Sequence, residues 1–525
     1  MEDILLIGGT IVDGSGKKPY LADIAVKGGN ISRIGDLKNT SAKTVLNLDG
    51  LCVSPGFIDA HSHSDTSFLK DTSCASKLYQ GITTEISGQC GSSPFPSLKE
   101  RLDENEKWHF ESFSDFVNAF ENSNYSMAVN QAILVGHGSL RAGVIGYEDR
   151  EATKDELEQM KFLLKRDLED GAWGLSLGLE YSPGFFAGKE ELTALSGVVK
   201  AFDGLVPCHM RNEGLEIESA INELVEIGKN TGAHVHISHL KIDNFRVHGK
   251  AEEVWRLIEK ARENGVNITC DIYPFLASCT DLTIRCPKWS REGGSKRLLD
   301  RLTGSERSKV VEGIRTHYFN AERAETCLFA DDGGYFPEIV GKTLRYVADE
   351  ILHISDYAEA AAEILVRTNA EAGCIFFVMN EADMLAFLQK DISIGSDGWA
   401  LSGDPRIVKT KPHPRSYGAI TEFLRLAREK KLCPIEKAVR RVTKQTADLI
   451  GLTDRGLLKE GFTADICVFD PNEIAPTATY LEPVQLSKGV MHVIVNGEIA
   501  LMNGQQTSIR AGRFLKKNVK TLQGF

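Results

Sequence analysis

The segment PGFIDAHSHSD, residues 55 to 65, carries His61 and His63 immediately after an apolar run. On a strand, positions i and i+2 share a face, so two imidazoles are presented together where a buried strand comes out to solvent. Further candidates follow in order: Cys90 in ISGQCGSS, His209 in PCHMRNEG, His239 in HISHLK and Asp397 in IGSDG. Four imidazoles, one thiol and one carboxylate form a zinc-type ligand set, and three or four protein ligands leave a coordination position for water. Taken singly, an HxH pair is more often a surface or capping feature, and a lone Cys after a strand is more often a core thiol. Their recurrence at successive strand ends carries the metal assignment.

Those side chains need a scaffold that collects strand ends. Nine strand candidates lie between residues 52 and 398: CVSPGFIDAH, GITTEIS, QAILVGHG, GAWGLSLGL, GLVPCHM, AHVHISH, VNITCDIYPF, CIFFVMN and ISIGSDG. Helical stretches such as EATKDELEQMKFLLKRDLED separate most of them, which predicts a parallel sheet with helical crossovers. With CIFFVMN set aside, the count fits a (β/α)8 TIM-type barrel over residues 56–455, whose reactive groups sit at the C-terminal strand ends. Residues 286–345, poor in strand signal, read as an insertion. Residues 1–55 and 456–525 alternate short apolar strands with Gly, Asn and Asp, predicting a small β-sandwich built from both termini. In HVHISH the last imidazole, His239, is the ligand candidate, while His234 and His236 pack or hydrogen-bond. His137 reads as a rim residue.

Composition narrows the function. The 525-residue chain has a formal net charge of −12 and no basic stripe, which argues against nucleic acid. A substrate anion must therefore be held by local cations. MEDILLIGG lacks the features of a signal peptide, and no run is apolar enough for a membrane helix. Eleven scattered cysteines fit a reducing compartment, so a cytoplasmic location is expected.

The ordered segments PGFIDAHSHSD, GQCGSSPFP, VGHGSLR, GAWGLSLGLEYSPG, HMRNEG, ISHLK, CDIYPF and GSDG resemble the N-acyl-D-amino-acid deacylase (D-aminoacylase) family of the amidohydrolase superfamily. The resemblance covers nearly the whole chain. No Lys stands where a bridging carboxylated Lys would be needed, and Cys90 matches the family's Cys segment. The resemblance implies a tight zinc on Cys90, His209 and His239. It implies a second, weaker metal position at His61, His63 and Asp397, with Cys90 able to bridge. It also implies hydrolysis of small N-acyl-D-amino acids. Asp397, beside the attacking water, is the expected general base and acid. Tyr181 is expected to bind the oxyanion, and Lys241, Tyr273 and Arg285 the substrate carboxylate. Cys279 departs from the family, which usually has Ser there. A D-dipeptidase, a hydantoinase- or dihydroorotase-like cyclic amidase, and a non-catalytic scaffold are the alternatives. Acyl and side-chain preference, metal count and oligomeric state are not encoded in any motif.

Overall fold

The computed structural model describes residues 1–96, 110–123 and 125–518. The last seven residues of the expected C-terminal sheet segment, and short stretches of the 56–455 segment, lie outside them.

The expected parallel strands form. Phe57–Asp59, Ile82–Ser87 and Asn130–Ile133 pair in parallel. Val135–Gly136, Leu175–Gly178, Leu205–His209, His234–Ile237, Ile268–Ile272 and Ser393–Ile394 continue in the order of the sequence. The first and last members also touch: the Ala60 N–H donates to the Ile394 carbonyl at 3.2 Å, and Ser62 bridges Gly398 in parallel. The strands are buried along their length, as expected when helices cover a parallel sheet. Helix Lys154–Glu169 begins at a capping box of Thr153 and Glu156, which satisfies two otherwise orphaned N–H groups, and buries Met160, Leu163, Leu164 and Leu168.

Both termini contribute to two flanking sheets. One is four-stranded and comes from residues 2–47; the other is seven-stranded and joins Thr10–Ile11, Tyr20–Leu21 and Cys52–Pro55 to Ile466–Phe469, Val490–Val495, Glu498–Met502 and Gln505–Gln506. Ile4, Leu6, Ile24, Val26, Val53, Ile466 and Ile494 share one core between them. The chain then leaves the sheets. The Leu515 N–H donates to the Gln131 carbonyl, and the indole N–H of Trp173 to the Leu515 carbonyl, so the tail crosses the starts of the parallel strands.

CIFFVMN lies outside the parallel set. Gly373–Phe376 is the middle strand of an antiparallel sheet with Ser278–Asp281 and Cys327–Asp331. Helices Gly294–Thr303, Arg307–Arg315 and Tyr357–Arg367 close over it with a separate core that includes Leu302, Ile314, Phe329 and Ile364. This unit extends beyond 286–345 on both sides. Its edge strands look like loop in the sequence because one is only four residues long and half-exposed.

Candidate metal and substrate site

Each polar group stands just beyond a buried strand. The four donors of His61, Cys90, His239 and Asp397 all lie within 4.8 Å of one another. Cys90 Sγ is 3.4 Å from His61 Nε2 and 3.4 Å from His239 Nε2, and His61 Nε2 is 3.5 Å from Asp397 Oδ1. His63 joins through Asp397, with its Nε2 3.0 Å from Oδ1. His209 stands beside His239, ring centroids 4.5 Å apart, and groups with His239 and Glu213 in a second donor cluster rather than with Cys90.

Three of the four close donors sit on strained backbone: φ is 53° at Cys90, 36° at His239 and 50° at Asp397. Left-handed conformations cost free energy for such residues and persist only where the surroundings enforce them. Here the Asp397 N–H donates to the His61 carbonyl at 2.8 Å, and the His239 N–H donates to Asp271 Oδ1 at 2.9 Å. Close approach fixes the Cys90 loop, since a Cβ on Gly178 would sit 2.0 Å from the Cys90 carbonyl oxygen. Asp271 is also 2.8 Å from His236 Nε2 and 3.3 Å from His61 Nδ1, so it orients two imidazoles and one backbone turn.

Below the donors lies a fully buried ionic knot. Lys77 Nζ is 2.8 Å from Asp59 Oδ2, 3.0 Å from Glu85 Oε1 and 2.8 Å from Ser396 Oγ. Asp59 Oδ1 accepts from the Ser396 N–H at 2.7 Å and the His61 N–H at 3.2 Å. The knot therefore ties the first strand end to the last.

Burial opposes the charge on Asp397. Arg415, with Nη1 2.7 Å from Oδ2, then His239, His63 and His61 more than offset this and hold the carboxyl well below its usual range. Burial, reinforced by Asp397, pushes the Cys90 thiol well above its usual range. A buried thiol beside a carboxylate has little reason to ionise alone, whereas a divalent cation deprotonates a coordinating thiol. The Cys90–His61, Cys90–His239 and His61–Asp397 separations of 3.4–3.5 Å match the edge of a tetrahedron with bonds of about 2.0–2.3 Å. The residues present therefore fit a zinc-type ion.

A cavity of about 940 Å³ opens over these groups, lined in part by His63, Cys90, Tyr181, His239, Asp397 and Arg415. The structure separates the remaining expected residues. Tyr181 lines the cavity with its ring 4.6 Å from that of His209, and burial raises its phenol well above the usual range. Lys241 Nζ is held by Glu213 Oε2 at 2.5 Å and lies 2.8 Å from His239 Nδ1. Tyr273 is buried, with Arg415 over its ring at 4.8 Å. Arg285 stacks on Phe376 at 4.3 Å and does not line the cavity. Cys279 lines it, and its carbonyl accepts from Arg415 Nη2 at 3.3 Å.

From the sequence, Glu180 and Asp271 stand out only as polar residues at strand ends and Glu213 only as a residue that orients others, while Arg415 is seen only as part of the Pro-rigid loop PHPRSYG. Glu180 Oε2 lies 2.9 Å from His209 Nε2, and Glu213 Oε1 lies 3.1 Å from His239 Nδ1. Glu213, four residues after His209, had a usable spacing signal. Arg415 had one too, as the first residue of helix Arg415–Glu429 after the rigid Pro412-His413-Pro414.

Comparison with known proteins agrees with the geometry. The sequence matches the amidohydrolase family over residues 44–320 and 389–501. It is 34% identical to a D-aminoacylase of Alcaligenes xylosoxydans xylosoxydans over 98% of both chains. It is 32% identical to an N-acyl-D-glutamate deacylase of the same organism, over 98% of this chain and 97% of that one. Among solved structures it superposes on an N-acyl-D-glutamate deacylase of Bordetella bronchiseptica, complexed with zinc and a phosphonate mimic of the tetrahedral intermediate. That match has a TM-score of 0.84, 32% identity, and covers 98% of this chain and 99% of that one. A Thermus D-hydantoinase, at 15% identity and a TM-score of 0.58 over 98% of this chain and 99% of that one, shares the fold. With its thiol, imidazole and carboxylate donors gathered at the strand ends, the chain belongs to the N-acyl-D-amino-acid deacylase (D-aminoacylase) family of amidohydrolases.

Proposed function

We infer that the protein is a zinc-dependent hydrolase that cleaves the amide bond of N-acyl-D-amino acids, releasing a carboxylate and a free D-amino acid. The observation that carries this is the close packing of Cys90, His61, His239 and Asp397 at the floor of a substrate-sized cavity. The parallel strands, joined first to last, act as a (β/α)8 barrel, with the two-terminus sheets as its β-sandwich neighbour.

His61, Cys90, His239 and Asp397 would hold one zinc ion, with His63 and His209 at its margins. Bound there, zinc supplies Lewis acidity that lowers the pKa of water to about 7 and polarises the scissile carbonyl. Asp397 takes the proton of the attacking water on a carboxylate oxygen and returns it to the departing amine nitrogen. Its low pKa keeps it ionised for the first step. His63, at 3.0 Å from Oδ1, and Arg415, at 2.7 Å from Oδ2, fix the carboxylate plane. The Tyr181 hydroxyl stays protonated and donates to the developing oxyanion. Glu213 clamps Lys241 and the His239 ring, and so sets which face of that imidazole meets the cavity.

The test is hydrolysis of paired N-acetyl-D- and N-acetyl-L-amino acids by the zinc-loaded protein, with metal content measured on the same sample. Release of D-amino acids only, abolished by chelation and restored by zinc, is the expected result. Turnover confined to cyclic amides or dipeptides would overturn the assignment.

A further inference from the structure

The relatives differ in the side chain of their substrates, and the cavity wall supplied by the inserted unit bears on which side chain this protein takes. Arg291 ends the turn Lys288–Arg291 and is 93% buried, yet it lines the cavity. Its guanidinium lies over the Phe185 ring at 4.7 Å, and Nη1 donates to the Glu180 carbonyl at 3.0 Å. Those contacts fix its plane one residue from Tyr181. Its Nε has no hydrogen-bond partner, and it forms no ion pair among the described residues. A buried cation without an anion is costly, and removing it from water makes any anion that reaches it bind strongly. Ser92, Ser139, Ser182 and Ser295, with Gly138, Gly184 and Leu298, are uncharged members of the same cavity wall.

Arg415 is the other buried cation on the cavity wall. It already neutralises Asp397 through Nη1 and donates to the Cys279 carbonyl through Nη2, and it lines the cavity beside the metal donors. Arg415, beside Asp397, suits the α-carboxylate next to the scissile amide, which leaves Arg291 for a second anionic group on the same substrate. Besides Asp397, four carboxylates, Asp71, Asp281, Asp331 and Glu371, also line the cavity. Glu371 is exposed and Asp71 and Asp331 are half-buried, so water and salt screen them in a way they cannot screen Arg291, while burial and then Asp331 and Glu371 push the Asp281 carboxyl up to about 6.

We propose that Arg291 recognises a side-chain carboxylate, making the preferred substrates N-acyl derivatives of acidic D-amino acids. The inference rests on the deacylase assignment above. A planar guanidinium forks onto a carboxylate through two parallel N–H donors, geometry that an amide of the same shape cannot repay.

The experiment compares kcat/KM for N-acetyl-D-glutamate, D-aspartate, D-glutamine, D-leucine and D-lysine on the zinc-loaded enzyme. The acidic substrates are expected to exceed D-glutamine by about 10- to 100-fold, the value of charge-assisted hydrogen bonds. Arg291→Met should collapse the glutamate-to-glutamine ratio by a similar factor, and Arg291→Lys should retain part of it. The wild-type ratio stands whether or not the Met variant folds. Turnover of D-leucine, D-glutamine or D-lysine at or above D-glutamate would overturn this inference while leaving the deacylase assignment intact. An equal loss on every substrate in Arg291→Met would likewise overturn it, making Arg291 an α-carboxylate holder. No turnover of any N-acyl-D-amino acid would instead remove the deacylase assignment itself.

Discussion

The strand-end cluster and the inserted unit face each other across one cavity but are built differently. The cluster side is rigid by construction. Three donors stand on left-handed backbone, Asp397 and His239 pinned by short hydrogen bonds and Cys90 by close approach of Gly178, over a knot of fully buried charge at Lys77, Asp59 and Glu85. The inserted side is an antiparallel sheet with its own apolar core, and it contributes Arg291, Cys279 and Thr280 through turns and a short strand. One side is arranged to place reacting atoms, where sub-ångström errors cost rate; the other to shape a pocket, which tolerates variation. The proposed chemistry and the proposed specificity thus rest on parts with separate apolar cores.

Substitutions can break that division. The largest effect is expected from Asp397→Asn, which should lower kcat by about 10²–10⁴-fold even when the variant is assayed in excess zinc. Wild-type turnover in that variant would remove Asp397 as the proton carrier. Next, Lys77→Met should cost roughly 3–5 kcal/mol of stability in denaturant unfolding, because Asp59 and Glu85 are left buried without a counter-ion. An unchanged midpoint would show that the knot does not hold the strand ends.

Leu302→Ala, in the core of the inserted unit, should cost about 2–5 kcal/mol. Amide exchange is expected to accelerate across 282–376 while Leu205–His209 and His234–Ile237 stay protected. Faster exchange throughout would mean the two parts unfold as one. The smallest effect concerns pH and belongs to the parallel sheet alone. Burial, helped by His236 and nearby lysines, lowers the His234 pKa from 6.5 to about 4. The unfolded chain therefore binds a proton near pH 6 that the folded chain refuses. Stability should fall as pH drops from about 6.5 toward 4, and His234→Gln should flatten that slope in thermal melts. An identical slope in the variant would assign it to other groups.

Much of the cluster was legible without coordinates. His61, His63, Cys90, His239 and Asp397 each follow an apolar run, and His239 is distinguished from His234 and His236 by lying last, nearest the rim, as well as by parity. The parallel strands and the two-terminus sheets were legible for the same reason, because apolar patterning reports burial. The extent of the inserted unit was less so, since its edge strand Ser278–Asp281 is short and exposed, and carries no apolar pattern.

The amino-acid order by itself determined the donor types, the strand-and-helix alternation and the family. Only the tertiary structure decided the partnerships. It committed Lys241 to Glu213 and Arg285 to the Phe376 ring, and it brought Arg415 to Asp397 from eighteen residues away. It also left Arg291 buried and, among the described residues, without an ion-pair partner. A charged side chain has the same local signature whether it is paired, stacked or free. Which of these it becomes depends on what distant segments place within about 4 Å of it, and that distance is set by packing.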